Sequence, residues 1–335
     1  MNQKLNSLIS ALVLLPMCLN ATTYTANPGS VTIDIAGGVT LDATGGGFRS
    51  DAIFTGSGDL TIQGGEVDLG GHSTFTGNVY ANSAVDIHNS GSLGADTNTL
   101  YLNSNMNVRA TTTHAQAIRI MNNGLRIQPA ATGNTTTLSG NITFNGDHEF
   151  RVGSGFNVAD RNIMFTGNIT DGAHTGSIQI DGDNSLFTFS GDNNYNGLTT
   201  VKDVGTRLNI DGTHTGGSLL VESGATLGGE GTIVFQDTMI ITNNGTLDLT
   251  SLKFDVSELQ YSGSAFTLVD FTNGSLLSAP TDLQDLLVNS PDWSITNNGS
   301  QLSVLIPESN KYSMITGGIA LIVVFLRRRM YWAEV

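Results

Sequence analysis

The chain has 335 residues, of which 41 are glycine and only 13% are charged, and its formal net charge is −15 at pH 7. Nucleic acid and anionic lipid surfaces repel such a polyanion, so the charge argues against nucleic-acid binding. Strong helix formers are few and turn formers are many, which argues against a helical protein. Apolar residues make up 39% of the chain and recur singly or in alternation, which indicates short strands and not disorder.

The N-terminal segment, residues 1–21, has the layout of a secretory signal peptide. Lys4 makes its start positive, residues 8–15 form an apolar stretch, and Leu-Asn-Ala at residues 19–21 is a weak cleavage site of the A-x-A type. We therefore predict that the chain is exported. The single cysteine, Cys18, lies in this segment, so the exported part would contain no disulfide. Lipid attachment at Cys18 is the alternative.

A short motif recurs in the next segment, residues 22–253. It consists of phenylalanine, any residue, glycine and a small polar residue, and it begins at Phe54, Phe75, Phe144, Phe165 and Phe189. The spacings in the sequence are 75 − 54 = 21, 144 − 75 = 69, 165 − 144 = 21 and 189 − 165 = 24. Since 69 is 3 × 23, one period near 22 fits all four spacings.

A second repeat supports this period. The sequence of residues 168–176 returns in altered form at residues 209–216, and its histidines, His174 and His214, are separated by 214 − 174 = 40 positions. That distance is nearly two periods.

Periods of this length are typical of solenoids, in which each repeat buries its apolar face against its neighbours. Short alternating segments occur throughout, for example at residues 60–62, 100–102, 118–120 and 178–180. Gly, Asn and Asp clusters between them tolerate the conformations of tight corners. We predict an all-β fold, a right-handed parallel β-helix of about twelve coils and on the order of 60 Å long. The repeated phenylalanines would stack in one file inside it.

Two stretches resemble the autotransporter-associated β-strand repeat. Residues 189–201 read Phe-Ser-Gly-Asp-Asn-Asn-Tyr-Asn-Gly-Leu-Thr-Thr-Val, and residues 224–232 read Gly-Ala-Thr-Leu-Gly-Gly-Glu-Gly-Thr. The resemblance covers residues 186–250 well. It implies a parallel β-helical passenger displayed at the cell surface. No segments for an autotransporter barrel follow in this sequence.

Residues 254–306 have a different texture and are predicted to form a β-rich cap over the last coil. Residues 266–271 form a dense strand pattern, residues 280–287 suit one short helix, and Asn-Asn-Gly at residues 297–299 suits a hairpin turn. Trp293 is interpreted as a core residue, although a sugar-stacking ring of a binding module is the alternative.

Residues 307–335 combine a short motif with a membrane anchor. The motif is Pro307, Glu308 and Ser309. The anchor is an apolar run from Met314 to Leu326 that contains Gly317 and Gly318, followed by Arg327, Arg328 and Arg329. We predict a single transmembrane helix with the arginines on the cytoplasmic side, and a buried core helix is the alternative.

This tail resembles the Pro-Glu-Pro C-terminal sorting signal (PEP-CTERM) of Gram-negative bacteria that produce extracellular polysaccharide. The resemblance implies processing by an exosortase-like membrane enzyme and delivery to the cell envelope or extracellular matrix. Ser309 stands in the place of the second proline, and six residues follow the arginines. If the departure at Ser309 prevents processing, the tail would act as a membrane anchor only.

Catalytic chemistry is weakly represented. Polysaccharide lyases and hydrolases need clustered carboxylates, and the candidates here are Asp171, His174, Asp181, Asp183, Asp211 and His214. Each lies in a Gly-rich corner, where Asp serves the turn. No pair of histidines has zinc-site spacing and no calcium loop is present, so we predict no catalytic, metal or cofactor site.

The sequence therefore predicts a non-enzymatic, exported surface or matrix protein with a structural or adhesive β-helical rod. A β-helical polysaccharide lyase or hydrolase and a carbohydrate-binding protein are the alternatives. Extracellular polysaccharide is a possible partner, besides the exosortase and the membrane.

Overall fold

A computed structural model describes residues 21–109, 111–129, 135–153, 160–236, 238–260, 265–289 and 292–306. In these ranges the chain is all-β, with one 3₁₀ helix at Leu283–Leu286. It winds into a parallel β-solenoid of about 11 turns. The predicted all-β class and parallel solenoid are confirmed.

The strands form three long sheets, one on each face of the solenoid. In order along the solenoid, sheet 1 contains Thr22–Tyr24, Val39–Asp42, Leu60–Gln63, Val79–Ala81, Thr99–Leu102, Ala117–Ile120, Ile142–Phe144, Ile169–Thr170, Asp192–Asn193, Thr213–Thr215, Thr232–Val234, Lys253–Asp255 and Leu287–Val288. Sheet 2 contains Phe48–Ser50, Val67–Leu69, Val85–Ile87, Met106–Val108, Leu125–Pro129, Glu149–Gly153, Ser177–Asp181, Thr199–Val201, Leu219–Val221, Ile241–Asn243, Phe266–Asp270, Gln301–Leu305 and Ser294–Asn297. Sheet 3 contains Thr113–His114, Thr135–Leu138, Asn162–Phe165, Leu186–Phe189, Arg207–Ile210, Thr226–Gly228, Thr246–Asp248 and Ser275–Ser278, and a two-stranded sheet pairs Thr32–Asp34 with Ile53–Thr55.

Alternation within each short strand decides which side chains face the interior. In most strands of the three sheets, apolar residues are buried and the residues between them are partly exposed. Because successive strands are parallel and in register, buried residues stack on one another, as Leu60, Val79 and Leu100 do in sheet 1. Each fully buried aliphatic side chain contributes about 1.5–3 kcal/mol. The core is therefore a set of apolar files that run along the solenoid.

The coil length agrees with the predicted period on average but varies between coils. Val39 and Phe254 occupy equivalent positions in sheet 1 and are ten coils apart, so the mean period is (254 − 39)/10 = 21.5. The shortest step in the sequence between these positions is 118 − 100 = 18, and the longest is 169 − 142 = 27. The period near 22 is confirmed as a mean.

The phenylalanines of the repeated motif are all buried, as predicted, but they do not form one file. Phe165 and Phe189 are register partners in sheet 3, with ring centroids 5.4 Å apart. Phe144 lies in sheet 1 of the same coil as Phe165 and packs against Phe150 at 5.5 Å. The prediction of a single file is wrong because this coil is long, so the step from Phe144 to Phe165 leads to another face and not to the next coil.

The second repeat also fails as a structural repeat. Ile169 lies in sheet 1, whereas its counterpart Ile210 lies in sheet 3. His174 is in an exposed turn, whereas His214 is buried in sheet 1, two coils after Ile169. The two stretches share turn-forming residues, and similar turns occur at different corners of the solenoid.

One corner of the solenoid, between sheets 3 and 1, is a column of glycines. A Cβ atom added at any of the last four would lie within 2.0–2.3 Å of the carbonyl oxygen of the glycine one coil earlier. No side chain fits at that distance, so only glycine lets the coils stack this closely. The column consists of Gly140, Gly167, Gly191, Gly212 and Gly231.

Parallel pairing continues past Lys253 through Phe266–Asp270, Ser275–Ser278 and Leu287–Val288. The strands Ser294–Asn297 and Gln301–Leu305 then form an antiparallel hairpin that pairs with Phe266–Asp270. The expected strand and hairpin are present in this region, and the short helix expected over residues 280–287 is limited to the 3₁₀ helix Leu283–Leu286. The hairpin covers the last parallel edge of sheet 2, which would otherwise expose unpaired backbone groups.

Two leucines, one inward and one outward, test the assignment of faces. Leu208 is fully buried between Phe187 and Leu227 in sheet 3, whereas Leu198 is 43% exposed. We expect Leu208→Ala to lower the free energy of unfolding by about 2–5 kcal/mol and Leu198→Ala to change it by less than about 0.5 kcal/mol. Chemical denaturation followed by circular dichroism measures both. Equal effects of the two substitutions would contradict the assigned faces.

Candidate functional site

The outward face of sheet 2 carries a row of polar side chains on successive coils. Arg49, Asp68, Asp86, Asn107 and Gln128 are register partners from one coil to the next. Each lies in a three- to five-residue strand whose alternate residues enter the core. Adjacent parallel strands are about 4.8 Å apart, so the row brings the carboxylates of Asp68 and Asp86 close together. Like charges in directly opposed positions destabilise a sheet unless other groups compensate them.

One charged group on this face consists of Glu66, Asp68, Asp86, His88 and Arg109. Its central member, Asp86, is fully buried. Its carboxylate accepts hydrogen bonds from the Asn107 side chain and from the Arg109 guanidinium. A second Arg109 contact reaches Glu66 Oε1, 3.7 Å from the nearer guanidinium nitrogen. Burial, and then the charges of Asp86 and Asp68, raise the pKa of Glu66. Arg109 therefore contacts two of the three neighbouring carboxylates, those of Glu66 and Asp86.

His88 completes the charged group. It lies two residues after Asp86, directly after the strand Val85–Ile87, so its side chain is on the same outward side as that of Asp86. Its Nε2 atom is 3.4 Å from Asp68 Oδ2, and that atom is buried without a hydrogen-bond partner. One donor atom from each of Asp68, Asp86 and His88 lies within 4.8 Å of the other two. These three side chains could serve as metal ligands. A search of the sequence for closely spaced histidines misses them, because Asp68 comes from the preceding coil and only Asp-x-His at residues 86–88 is local.

Asp181, one of the predicted catalytic candidates, forms a salt bridge on the same sheet. Arg126, two coils earlier, donates to its carboxylate at 2.8 and 3.4 Å, and Gln179 donates at 3.0 Å. Gly153 is the register partner of Asp181 one coil earlier, and a Cβ there would be 1.5 Å from the Asp181 carbonyl oxygen. Asp183 lies in the next turn, where its carbonyl accepts from Ser185 Oγ at 3.2 Å.

Asp171 and His174, also predicted candidates, belong to a corner after sheet 1. Asp171 is buried and accepts from the backbone of Gly176 at 3.1 Å and from the backbone and side chain of Asn196 at 2.6 and 3.1 Å. His174 is exposed, with Nδ1 3.9 Å from Asp147 Oδ1. The structure therefore gives Asp171 and Asp181 separate hydrogen-bond networks. Asp171 stabilises a turn, as Asp residues in such corners commonly do.

His214 lies inside the solenoid, in the inward file of sheet 1. Its Nε2 atom is 3.0 Å from the Gly217 carbonyl oxygen, and its ring lies 5.4 Å from the ring of buried Tyr195. Burial lowers the pKa of His214 to about 4 despite the hydrogen bond to Gly217. His114 is also buried, and burial lowers its pKa to about 4. Both imidazoles are therefore neutral at pH 7.

Asp211 lines a cleft of about 400 Å³ on sheet 3, together with Arg207, Glu230 and Asp248. Asp211 Oδ1 accepts from the backbone of Glu230 at 3.2 Å, and Arg207 donates to Asp248 at 2.9 Å. Burial raises the pKa of Asp248, but hydrogen bonds from Thr250 and Arg207 outweigh it and leave the pKa well below its usual range. The predicted pair of Asp211 and His214 is divided between the outer surface and the core.

Sheet 1 exposes two aromatic rings on its outward face. Tyr80 and Tyr101 are register partners whose rings stack at 4.8 Å with an interplanar angle of 14°. The guanidinium carbon of Arg119, on the next coil, lies 5.8 Å from the centre of the Tyr101 ring. Trp293, by contrast, is partly buried and packs against the core, which agrees with its interpretation as a core residue.

The predicted sorting motif and membrane anchor, residues 307–335, lie outside the described residues, as does nearly all of the predicted signal peptide. Within the part of the chain that the structure describes, no helix has the length and apolar character needed to span a bilayer. No protein-family model, curated protein or solved structure matches this chain.

The buried His214 makes stability depend on pH. Its pKa is about 4 in the native chain and near 6.5 when exposed, so between these values the unfolded chain binds a proton that the native chain does not. We expect the free energy of unfolding to fall on acidification from pH 7 to pH 4, by up to about 1.4 kcal/mol per pH unit for each such histidine. His214→Gln should flatten this dependence and leave the part that arises from His114.

Denaturant unfolding at a series of pH values measures the effect, with His174→Gln as the control for an exposed histidine. An unchanged pH dependence in His214→Gln would contradict the assignment.

Proposed function

We propose that this chain is a non-enzymatic, exported protein of the cell surface or extracellular matrix, whose β-helical rod has a structural or adhesive role. The observation that carries the proposal is the continuous core, which joins coil to coil from Thr22 to Val288. About 11 turns at about 4.8 Å each give a rod on the order of 50 Å long. Such a rod holds outward side chains at fixed spacing, which suits a spacer or an adhesive surface.

The contacts of the former catalytic candidates support a non-enzymatic role. Asp171 is surrounded by the amides of one corner, Asp181 is paired with Arg126, and His214 is enclosed in the core. A general acid or base must reach a substrate proton within hydrogen-bond distance. Asp171, Asp181 and His214 instead use their polar atoms in contacts that stabilise the fold.

Extracellular polysaccharide is the proposed partner of an adhesive rod. The stacked rings of Tyr80 and Tyr101 lie on an outward sheet face, where planar apolar rings with hydroxyl groups suit contact with sugars. This observation also favours the second candidate, a carbohydrate-binding protein without catalysis.

Delivery is proposed to depend on the ends of the chain. Residues 1–21 direct export, and the tail with Pro307, Glu308 and Ser309 is presented to an exosortase-like enzyme in the membrane of a Gram-negative bacterium. The apolar run and the arginines hold the tail in the membrane before or instead of processing.

Cell fractionation with mass spectrometry of both termini tests this proposal. We expect the chain in the envelope or outside the cell, without residues 1–21, and with a C-terminus near Pro307. Because Ser309 replaces a proline of the sorting motif, Ser309→Pro should increase the processed fraction. Ser309→Ala, which changes the same residue without restoring the proline, is the matched control and should not increase it. A cytoplasmic chain that keeps its N-terminal segment would contradict the proposal.

A further inference from the structure

The charged group on sheet 2 contains an arrangement that the rod function does not require. Asp68 and Asp86 are direct register partners on successive coils, and His88 follows Asp86 at the next outward position. Adjacent carboxylates repel each other, so a purely structural sheet would favour uncharged or opposite residues here. The arrangement instead places possible metal ligands from two coils, Asp68 on one and Asp86 and His88 on the next, close together on the outward face.

The distances suit a transition-metal ion. In a tetrahedral zinc site with bonds of about 2.0–2.1 Å, neighbouring donor atoms are roughly 3.4 Å apart. His88 Nε2 and Asp68 Oδ2 are 3.4 Å apart, and one donor atom from each of Asp68, Asp86 and His88 lies within 4.8 Å of the other two. Binding of one ion by all three side chains would therefore bring the Asp86 donor atom closer to the other two.

The environment of the histidine supplies a further indication. His88 Nε2 is buried and has no hydrogen-bond partner, although it faces a carboxylate at 3.4 Å. A buried polar atom without a partner is costly, and metal coordination through that nitrogen would satisfy it.

The surrounding charges and contacts also fit a cation. Three acidic side chains, Glu66, Asp68 and Asp86, meet here. Arg109 contacts Glu66 and Asp86, whereas Arg49, the register partner of Asp68, forms its ion pair with Asp51. Asn107 and Arg109 donate hydrogen bonds to the Asp86 carboxylate. Residues around a metal site commonly orient its ligands by such hydrogen bonds. A cleft of about 390 Å³ is lined by Glu66 and Asp68, together with Arg49.

We propose that Asp68, Asp86 and His88 bind one divalent transition-metal ion of the zinc class, with water in the remaining position. Two carboxylates and one imidazole favour such an ion over calcium, which prefers oxygen ligands alone. The bound ion links two successive coils and therefore stabilises the rod. This site goes beyond the proposed function and does not depend on where the chain is delivered.

Isothermal titration of the full chain with Zn²⁺, after treatment with a chelator, tests the site. We expect one ion per chain and a higher unfolding temperature with Zn²⁺ than without it. His88→Ala and Asp68→Asn should each weaken Zn²⁺ binding by at least about tenfold. Co²⁺ bound to the native chain should give a visible absorption spectrum that His88→Ala abolishes.

His174→Ala is the matched control, because His174 also lies near an aspartate, Asp147, but is exposed. Among the described residues, no third metal-binding side chain lies beside this pair. The His174→Ala chain should bind Zn²⁺ as the native chain does. Circular dichroism establishes that each variant keeps the β fold. The proposal is overturned if the native chain does not bind Zn²⁺, if both ligand variants bind it as tightly as the native chain, or if Ca²⁺ binds more tightly than Zn²⁺.

Discussion

The parallel register between successive coils is the constraint on which the molecule depends. Backbone hydrogen bonds join each strand to the strand one coil away, and each residue then stacks on a residue of the same orientation. The glycine column from Gly140 to Gly231 is what permits this at one corner, because carbonyl oxygens there occupy the space of a Cβ. A slip of one residue would exchange the inward and outward faces of a strand.

The same register determines what the surface presents. Residues that are distant in sequence become neighbours one coil apart, so Tyr80 stacks on Tyr101 and Asp68 lies beside Asp86. Arg126 even reaches Asp181 across an intervening coil, in which the register partner of Asp181 is Gly153. The proposed adhesive surface and the proposed metal site therefore both arise from stacking and not from local motifs.

The class of fold is predictable from local sequence patterns, whereas the register between coils is not. A solenoid is indicated by the alternating short segments, the glycine-rich corners and the regular spacing of the phenylalanine motif. The turn sequence Asn-Asn-Gly at residues 297–299 predicts the hairpin. The number of residues in a corner, however, varies from coil to coil, and local sequence patterns do not predict it. For that reason the spacing of Phe144 and Phe165 predicts stacking although the two residues lie on different faces, and no local pattern indicates the group around His88.

A disulfide across the longest coil tests the register most directly. Thr143 and Thr170 are register partners on the outward face of sheet 1. If the step from Phe144 to Phe165 were one full coil, Thr143 would instead lie beside Met164, which belongs to sheet 3. Adjacent strands bring Cα atoms within the range that a disulfide spans.

With Cys18 changed to serine, oxidation of a Thr143→Cys and Thr170→Cys chain should give an intramolecular cross-link, detected by mass spectrometry. A Thr143→Cys and Met164→Cys chain should not form one, because its two positions lie on different faces of the solenoid. Cross-linking of the second pair, without the first, would contradict the account.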